Sequence, residues 1–100
     1  MDIKIFQINL DTEEGQKKAF MPFRKAEKIN AEIYEKVFEG TVEADNLEDI
    51  YRIFNIAHPD GYKGRSLSVS DVVGIKASEG WLYSYCDIFG YKPISFTPKS

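Results

Sequence analysis

The chain has 100 residues, of which 43% are hydrophobic and 14% aromatic, a composition that fits one compact domain with an aromatic-rich core. Its 13 Lys+Arg against 16 Asp+Glu make it mildly acidic, so it lacks the strong positive field that drives nonspecific binding to phosphates. Direct nucleic-acid binding is therefore disfavoured. A lone cysteine, Cys86, and a lone histidine, His58, argue against a disulfide framework and against a multi-cysteine zinc site. We expect a single domain over residues 1–100.

The amino-terminal residues bear on location. Residues 1–4 open directly on strand-like alternation, without the basic region and apolar run that a signal peptide needs. No window approaches the roughly 18 consecutive apolar residues of a membrane span. We expect a soluble cytoplasmic protein with no membrane partner.

The first elements are a strand and a short helix. Residues 2–10 carry β-branched and aromatic side chains on both alternating faces, which predicts a strand covered on at least one side. Residues 11–15 are turn-like, and residues 16–21 predict a short helix that Pro22 stops or kinks.

A second strand is predicted over residues 33–42, where alternation returns. Its alternation puts Tyr34, Phe38 and Val42 on one face. Gly40 suggests either a bulge or a place of close packing.

The clearest helix signal begins at Asn46, whose side chain can accept from the backbone N–H near Asp49. Pro59 biases His58 away from helical geometry and so ends the element. The apolar residues between these signals fall at helical spacing on one face: Leu47, Ile50, Tyr51 and Phe54.

The last third predicts three strands, over residues 72–76, 81–88 and 91–96, with turns at Gly80 and Gly90. The whole pattern predicts an α+β fold with a mostly antiparallel sheet of about four to five strands, packed by one main helix and a short helix.

Residues 81–88 separate two sets of side chains in this pattern. Trp81, Tyr83 and Tyr85 share a face that could be a base-stacking platform, but few cations lie nearby, so a covered sheet face is favoured. The other face, with Leu82, Cys86 and Ile88, is read as the inward one. Cys86 is then a buried, inert thiol rather than a nucleophile activated by His58.

The run from His58 to Val73 combines turn residues, evenly spaced serines, an Arg and an Asp, and it is the first place to look for a site. In an extended chain Ser66, Ser68 and Ser70 project to one side and could bind a polar ligand or a partner's backbone. The favoured alternative is that Ser and Asp side chains satisfy backbone groups of the loop.

Arg65 and Asp71 admit two interpretations. The guanidinium could present its planar fork to a carboxylate or phosphate ligand, or it could close the loop on Asp71 as an internal clamp, which we favour. Asp60, Asp71 and Asp87 lie in separate local contexts that match no metal-binding spacing, and no phosphate-binding glycine loop is present. We expect no metal, no cofactor and no catalytic residue.

Several blocks of the chain, taken in order, resemble the YodL-like domain family of bacterial proteins. They are Ile-Phe-Gln-Ile at 5–8, Ala-Phe-Met at 19–21, Tyr-Glu-Lys-Val-Phe-Glu-Gly at 34–40, Leu-Glu-Asp-Ile-Tyr at 47–51, Phe-Asn at 54–55, Gly-Arg-Ser-Leu-Ser-Val-Ser-Asp-Val-Val at 64–73 and Tyr-Cys-Asp-Ile-Phe-Gly-Tyr at 85–91. The block at 66–73 is the most specific, and the resemblance spans nearly the whole chain.

The resemblance implies a small cytoplasmic protein or module, frequent on conjugative or phage-like elements, and it carries over no catalytic residue. We expect a noncatalytic module that binds another protein, with Arg65, Ser66, Ser68, Ser70 and Asp71 as the candidate binding residues. Two alternatives remain open. One is an antirestriction-like accessory protein that acts on a nucleic-acid enzyme, and the other is a small enzyme that uses Arg65, Ser70 and Asp71.

Overall fold

A computed structural model describes residues 1–26, 28–59, 62 and 64–98. Asp60, Gly61 and Lys63 of the His58–Val73 run therefore lie outside the described residues. The strands are β1 (Asp2–Ile8), β2 (Tyr34–Thr41), β3 (Val72–Ala77), β4 (Gly80–Cys86) and β5 (Tyr91–Ile94), and the helices are α1 (Glu13–Lys18), α2 (Phe23–Ala26) and α3 (Leu47–Ile56).

The five strands form one sheet in the order β2-β1-β3-β4-β5, and every neighbouring pair is antiparallel. The predicted α+β class and its antiparallel sheet are confirmed. No helix within the described residues is both long and apolar enough to cross a membrane.

Two apolar clusters cover the two faces of the sheet. On one face α3 packs Ile50 and Phe54 against residues of β1 and β3, including Ile5 and Val73. On the opposite face the cluster contains Phe6, Ile8, Tyr34, Val72, Tyr85 and Phe96, with side chains from residues 19–26 and 29–33 packed against it. Both faces of β1 are therefore buried, which satisfies the prediction of cover on at least one side.

The main helix follows its local signals. Asn46 caps α3, its side chain accepting from the Asp49 N–H at 2.8 Å. Ile50 and Phe54 are fully buried, whereas Tyr51 is 43% exposed because it lies at the margin of the apolar face. The helix ends at Ile56, before Pro59.

The predicted first helix is displaced by three residues. Thr12 caps α1 by accepting from the Gly15 N–H at 2.9 Å, so the helix covers Glu13–Lys18 rather than residues 16–21. Because Thr12 caps the helix, the helix begins within the segment that the sequence predicted to be a turn. A second helical turn, α2, follows Pro22.

The prediction that Tyr34 shares a face of β2 with Phe38 and Val42 is wrong. Ile5 pairs with Phe38 but Phe6 pairs with Lys36, so Val37 is an extra residue in the strand. Such a bulge reverses the side chains beyond it. Tyr34 consequently packs on the face opposite Phe38.

Gly40 does not mark the bulge. It is instead the place of close packing that the sequence offered as the alternative, because a Cβ there would lie 3.0 Å from the Phe38 ring.

The aromatic face of β4 is a covered sheet face. Tyr85 is buried, the Tyr83 ring lies 5.3 Å from that of Phe96, and the Lys4 ammonium lies 4.3 Å from the Trp81 ring. The prediction that Leu82, Cys86 and Ile88 on the other face point inward is confirmed only for Cys86.

Leu82 and Ile88 are 66% and 54% exposed. Leu82 lies on β4 but does not belong to the apolar cluster under α3, and Ile88 lies beyond the end of β4.

Candidate functional site

The serine loop, Arg65–Asp71, ends in a tight turn. The Asp71 N–H donates to the Ser68 carbonyl at 3.1 Å, and Ser70 has a φ of 84°. A positive φ at the third position of a turn favours glycine, so Ser70 needs support from its surroundings. That support comes from its N–H, which donates to the Cys86 carbonyl at 2.9 Å, and from its Oγ, which accepts from the Phe20 N–H at 2.9 Å.

This turn separates the three serines, which an extended chain would place on one side. The favoured alternative holds for Ser70 and Asp71, whose side chains accept from backbone N–H groups. Ser66 is exposed, Ser68 is half-buried and Ser70 is buried, because the chain leaves the extended conformation after Ser68. Binding through Arg65 and Ser66, which are exposed, stays a prediction.

Asp71 is fully buried, and one of its carboxylate oxygens holds the loop. Its Oδ2 accepts from the Ser68 N–H at 2.8 Å and from the Gln7 amide at 3.0 Å, while Oδ1 has no hydrogen-bond partner among the described residues. Burial raises the pKa of Asp71 to about 7, against the opposing effects of the Ser68 and Gln7 hydrogen bonds and the Arg65 charge. These contacts are those of a structural carboxylate.

Gln7 is the central residue of the loop, and sequence reasoning missed it. It is 2% exposed, its Nε2 also donates to the Arg65 carbonyl at 2.9 Å, and its Oε1 accepts from the Arg65 N–H at 2.9 Å. One side chain of β1 thereby joins both ends of the serine loop. The available signal was an amide in an alternating series whose other members, Ile3 and Ile5, are apolar.

The prediction that Arg65 and Asp71 close the loop by pairing with each other is wrong. The described residues contain no salt bridge between them. The Arg65 guanidinium instead donates to the Ile8 carbonyl at 3.2 Å and lies 5.9 Å from the ring centre of Phe20. The amide of Gln7 closes the loop because it can pair with a backbone N–H, a backbone carbonyl and a carboxylate at once.

Gly64 is needed for this arrangement. A Cβ at this position would lie 2.7 Å from the Gln7 Oε1 and 2.6 Å from the Tyr62 hydroxyl oxygen. Tyr62 in turn donates its hydroxyl to the Arg65 carbonyl. The glycine before Arg65 therefore lets the loop backbone reach the buried amide.

A second feature, the hairpin tip Asp87–Gly90, exposes two large apolar side chains. Phe89 is 89% exposed and Ile88 is 54% exposed. Asp at the first position, Gly at the fourth and a φ of 78° at Gly90 suit a tight turn between β4 and β5. The two central positions of such a turn accept most residues, so the turn itself does not call for Ile and Phe.

Sequence reasoning assigned Ile88 to a strand and left Phe89 without a role. The available signal was the apolar pair Ile88-Phe89 where turns usually carry Gly, Pro, Asn, Asp or Ser.

The serine loop and the hairpin tip both contact the segment 20–26 and hold it in place. Besides the bond from Phe20 to the serine loop, the Phe23 N–H donates to the Asp87 Oδ1 at 3.1 Å, and the Tyr85 hydroxyl donates to the Met21 carbonyl at 2.6 Å. The rings of Phe23 and Tyr85 lie 5.4 Å apart. The segment beside the hairpin tip is thus anchored by both polar and aromatic contacts.

Two surface cavities flank the hairpin tip. One, of 410 Å³, lies toward α2 and includes Phe23, Arg24 and Lys92. The other, of 340 Å³, lies toward α3 and includes Glu48 and Tyr51. Ile88 lines both cavities, so it stands between a basic and an acidic side of the tip.

Cys86 is buried, as predicted. Burial, with the charges of Asp71 and Asp87, raises the pKa of its thiol to about 12, although a hydrogen bond with Tyr91 acts in the opposite direction. No described contact joins Cys86 to His58, whose ring packs 5.0 Å from that of Tyr62. Among the residues that the structure describes, no group of His, Cys, Asp and Glu could hold a metal ion.

We expect the native chain to react slowly with a disulfide reagent at pH 8, because only the thiolate attacks and a thiol with a raised pKa stays protonated. Absorbance would follow the reaction with and without urea. A Ser78→Cys, Cys86→Ser variant, with its cysteine at an exposed turn position, supplies the fast reference. Labelling of native Cys86 at the rate of that reference would contradict the expectation.

Comparison with known proteins extends these observations. A family model described as the YodL-like domain matches residues 2–96, which confirms the resemblance read from the motifs. The match includes both the serine loop and the hairpin tip. Searches of curated proteins and of solved structures find no match.

Proposed function

We propose that this chain, which belongs to the YodL-like domain family, is a noncatalytic protein-binding module that contacts its partner through the hairpin tip. The observation that carries the proposal is the exposure of Phe89, at 89%, beside Ile88, at 54%. Adjacent exposed apolar side chains at a rim of polar residues are typical of protein-binding sites. Aromatic side chains supply much of the energy of such contacts.

The scaffold under the tip supports this proposal. Asp87 accepts from both the Ile88 N–H at 2.8 Å and the Phe23 N–H at 3.1 Å, so the turn is tied to the neighbouring segment before any partner arrives. A surface that is already ordered loses less conformational entropy on binding.

The serine loop supports a noncatalytic role. Ser70 and Asp71 are buried, and their side chains hold the backbone of Phe20 and Ser68. An enzyme that used them would have to break these bonds. The antirestriction-like alternative would use the same hairpin tip, with a nucleic-acid enzyme as the partner, and one experiment addresses both. A bacterial source and a mobile-element association stay expectations from the resemblance.

The test is photo-cross-linking in the cells that encode the chain. Benzoylphenylalanine replaces Phe89 in one variant and Ile56 in a control, since Ile56 is equally apolar and 78% exposed but lies at the end of α3. We expect one or a few discrete adducts from position 89 that position 56 does not give. Mass spectrometry of the adduct identifies the partner, including a nucleic-acid enzyme.

Serine substitutions complete the test. Ile88→Ser with Phe89→Ser should abolish co-purification of the cross-linked protein, Ile56→Ser should not, and neither variant should change the thermal midpoint appreciably. Equal adducts at positions 89 and 56, or undiminished co-purification after the double substitution, would overturn the proposal. Arg65→Ala, tested alongside, shows whether the exposed end of the serine loop adds to the contact.

A further inference from the structure

The cavity on the α2 side of the hairpin tip has an apolar wall and a positive rim. This basic groove, of 410 Å³, is lined by Phe23, Ile88 and Phe89 and by the exposed cations Arg24 and Lys92. The positive rim is a local exception, because the chain as a whole has a formal net charge of −3.

The rim cations are available to a partner. Within the described residues neither Arg24 nor Lys92 forms a salt bridge. Hydrogen bonds from the Phe23 and Ile88 N–H groups, and more weakly the charges of Lys92 and Arg24, lower the pKa of Asp87. Because Asp87 Oδ1 is already occupied by those two N–H groups, the groove presents two cations against a single internally bonded carboxylate.

We infer that the basic groove binds a segment of another protein in which an aromatic or large aliphatic side chain is flanked by Asp or Glu. The inference rests on the proposed function and adds the chemistry of the partner. The apolar residue would pack between Phe23 and Phe89, and the carboxylates would face Arg24 and Lys92. Opposite charges at the rim of an apolar contact select the partner and speed its association.

Charge and shape favour this occupant over a nucleic acid, and a second copy of the chain is a separate outcome of the test. A nucleic-acid strand needs a track of cations along its phosphates, and this groove offers two cations beside an exposed phenylalanine. A second copy of this chain would have to bring its own apolar and acidic residues to the groove, which would make the contact depend on the concentration of the chain alone.

The probes are three synthetic peptides added to the isotopically labelled full chain at low salt. The first alternates Leu and Phe with Glu, the second has Lys in place of every Glu, and the third keeps Glu but has Ser in place of Leu and Phe. Amide chemical shifts locate and quantify binding. We expect the first peptide to shift Phe23, Ile88, Phe89 and Lys92 saturably, and the other two to bind at least several-fold more weakly.

Charge reversal in the protein tests the rim directly. Arg24→Glu with Lys92→Glu should weaken binding of the first peptide about tenfold, about 1.4 kcal/mol. The matched control, Lys17→Glu with Lys76→Glu, reverses two exposed cations elsewhere and should leave binding unchanged. The affinity of the wild type should also fall with added salt.

The outcomes separate the inference from the proposed function. Equal binding of the acidic and basic peptides at the hairpin tip, or no effect of the rim substitutions, would overturn the acidic partner and leave the apolar contact standing. Shifts of the tip residues on dilution of the chain alone would replace the inferred partner with a second copy. Specific cross-linking at Phe89 without any shift from the first peptide would also overturn the inference, whereas loss of both would overturn the proposed function as well.

Discussion

Replacing Gln7 by glutamate is expected to destabilise the fold by about 3–5 kcal/mol, a large part of the stability of a small domain. The Gln7 amide donates to the Arg65 carbonyl and to the Asp71 carboxylate, and a carboxylate can donate to neither. The change also puts a second acid beside a fully buried one. Urea denaturation followed by circular dichroism at pH 7 measures the loss.

Gln16→Glu is the matched control for this prediction. Gln16 is exposed, and its amide donates to the Leu10 carbonyl at 3.0 Å near the protein surface. Its replacement should cost no more than a typical surface change, about 0.5 kcal/mol. Equal denaturation midpoints for the two variants would show that the buried amide does not hold the serine loop.

The free energy of unfolding is expected to depend on pH through the titration of Asp71. Burial raises the pKa of this group from 3.8 in the unfolded chain to about 7 in the folded one, so the folded state binds the extra proton between these values. Its contribution to stability is therefore fully present below about pH 4 and is lost as the pH rises through about 7. The physical cause is that a negative charge is poorly accommodated where Oδ1 has no partner among the described residues.

Asp71→Asn removes this titration and retains an oxygen that can accept from Ser68 and Gln7. The stability of the wild type relative to the variant should fall by a few kcal/mol between about pH 4 and about pH 7 and then level off. Urea midpoints at a series of pH values give this difference, in which the contributions of other groups cancel. Asp11→Asn, at an exposed position, is the control. Parallel curves for wild type and Asp71→Asn would contradict the prediction.

The two predictions test one network by different means. Gln7→Glu removes the hydrogen bonds that the Gln7 amide donates, and Asp71→Asn removes only the titrating charge of Asp71. If the first variant is destabilised and the second loses its pH dependence, the serine loop is held from the sheet, as the contacts indicate. The exposed Arg65 side chain is then available to a partner without being needed for folding.

How far the sequence could predict the site follows from the range of each interaction. The tight turn at Gly90 and the role of Asp71 as an acceptor for a nearby backbone N–H were predictable because the groups involved lie within a few residues of each other. The bond between Gln7 and Arg65 spans 58 positions, and no local pattern announces the partner of a buried amide. The clamp was therefore assigned to the nearest opposite charge instead.

Local sequence patterns were enough to predict the elements whose causes lie within a few residues. Asn46 sets the start of α3, periodic apolar residues set its buried face, and alternation sets the five strands. Three features became visible only in the folded chain: Val37 is an extra residue in β2, Tyr34 faces the side of the sheet opposite Phe38, and Phe89 is exposed to solvent. The physical reason is that burial depends on which elements cover a side chain, and the order of the strands in the sheet, rather than their order along the chain, determines that cover.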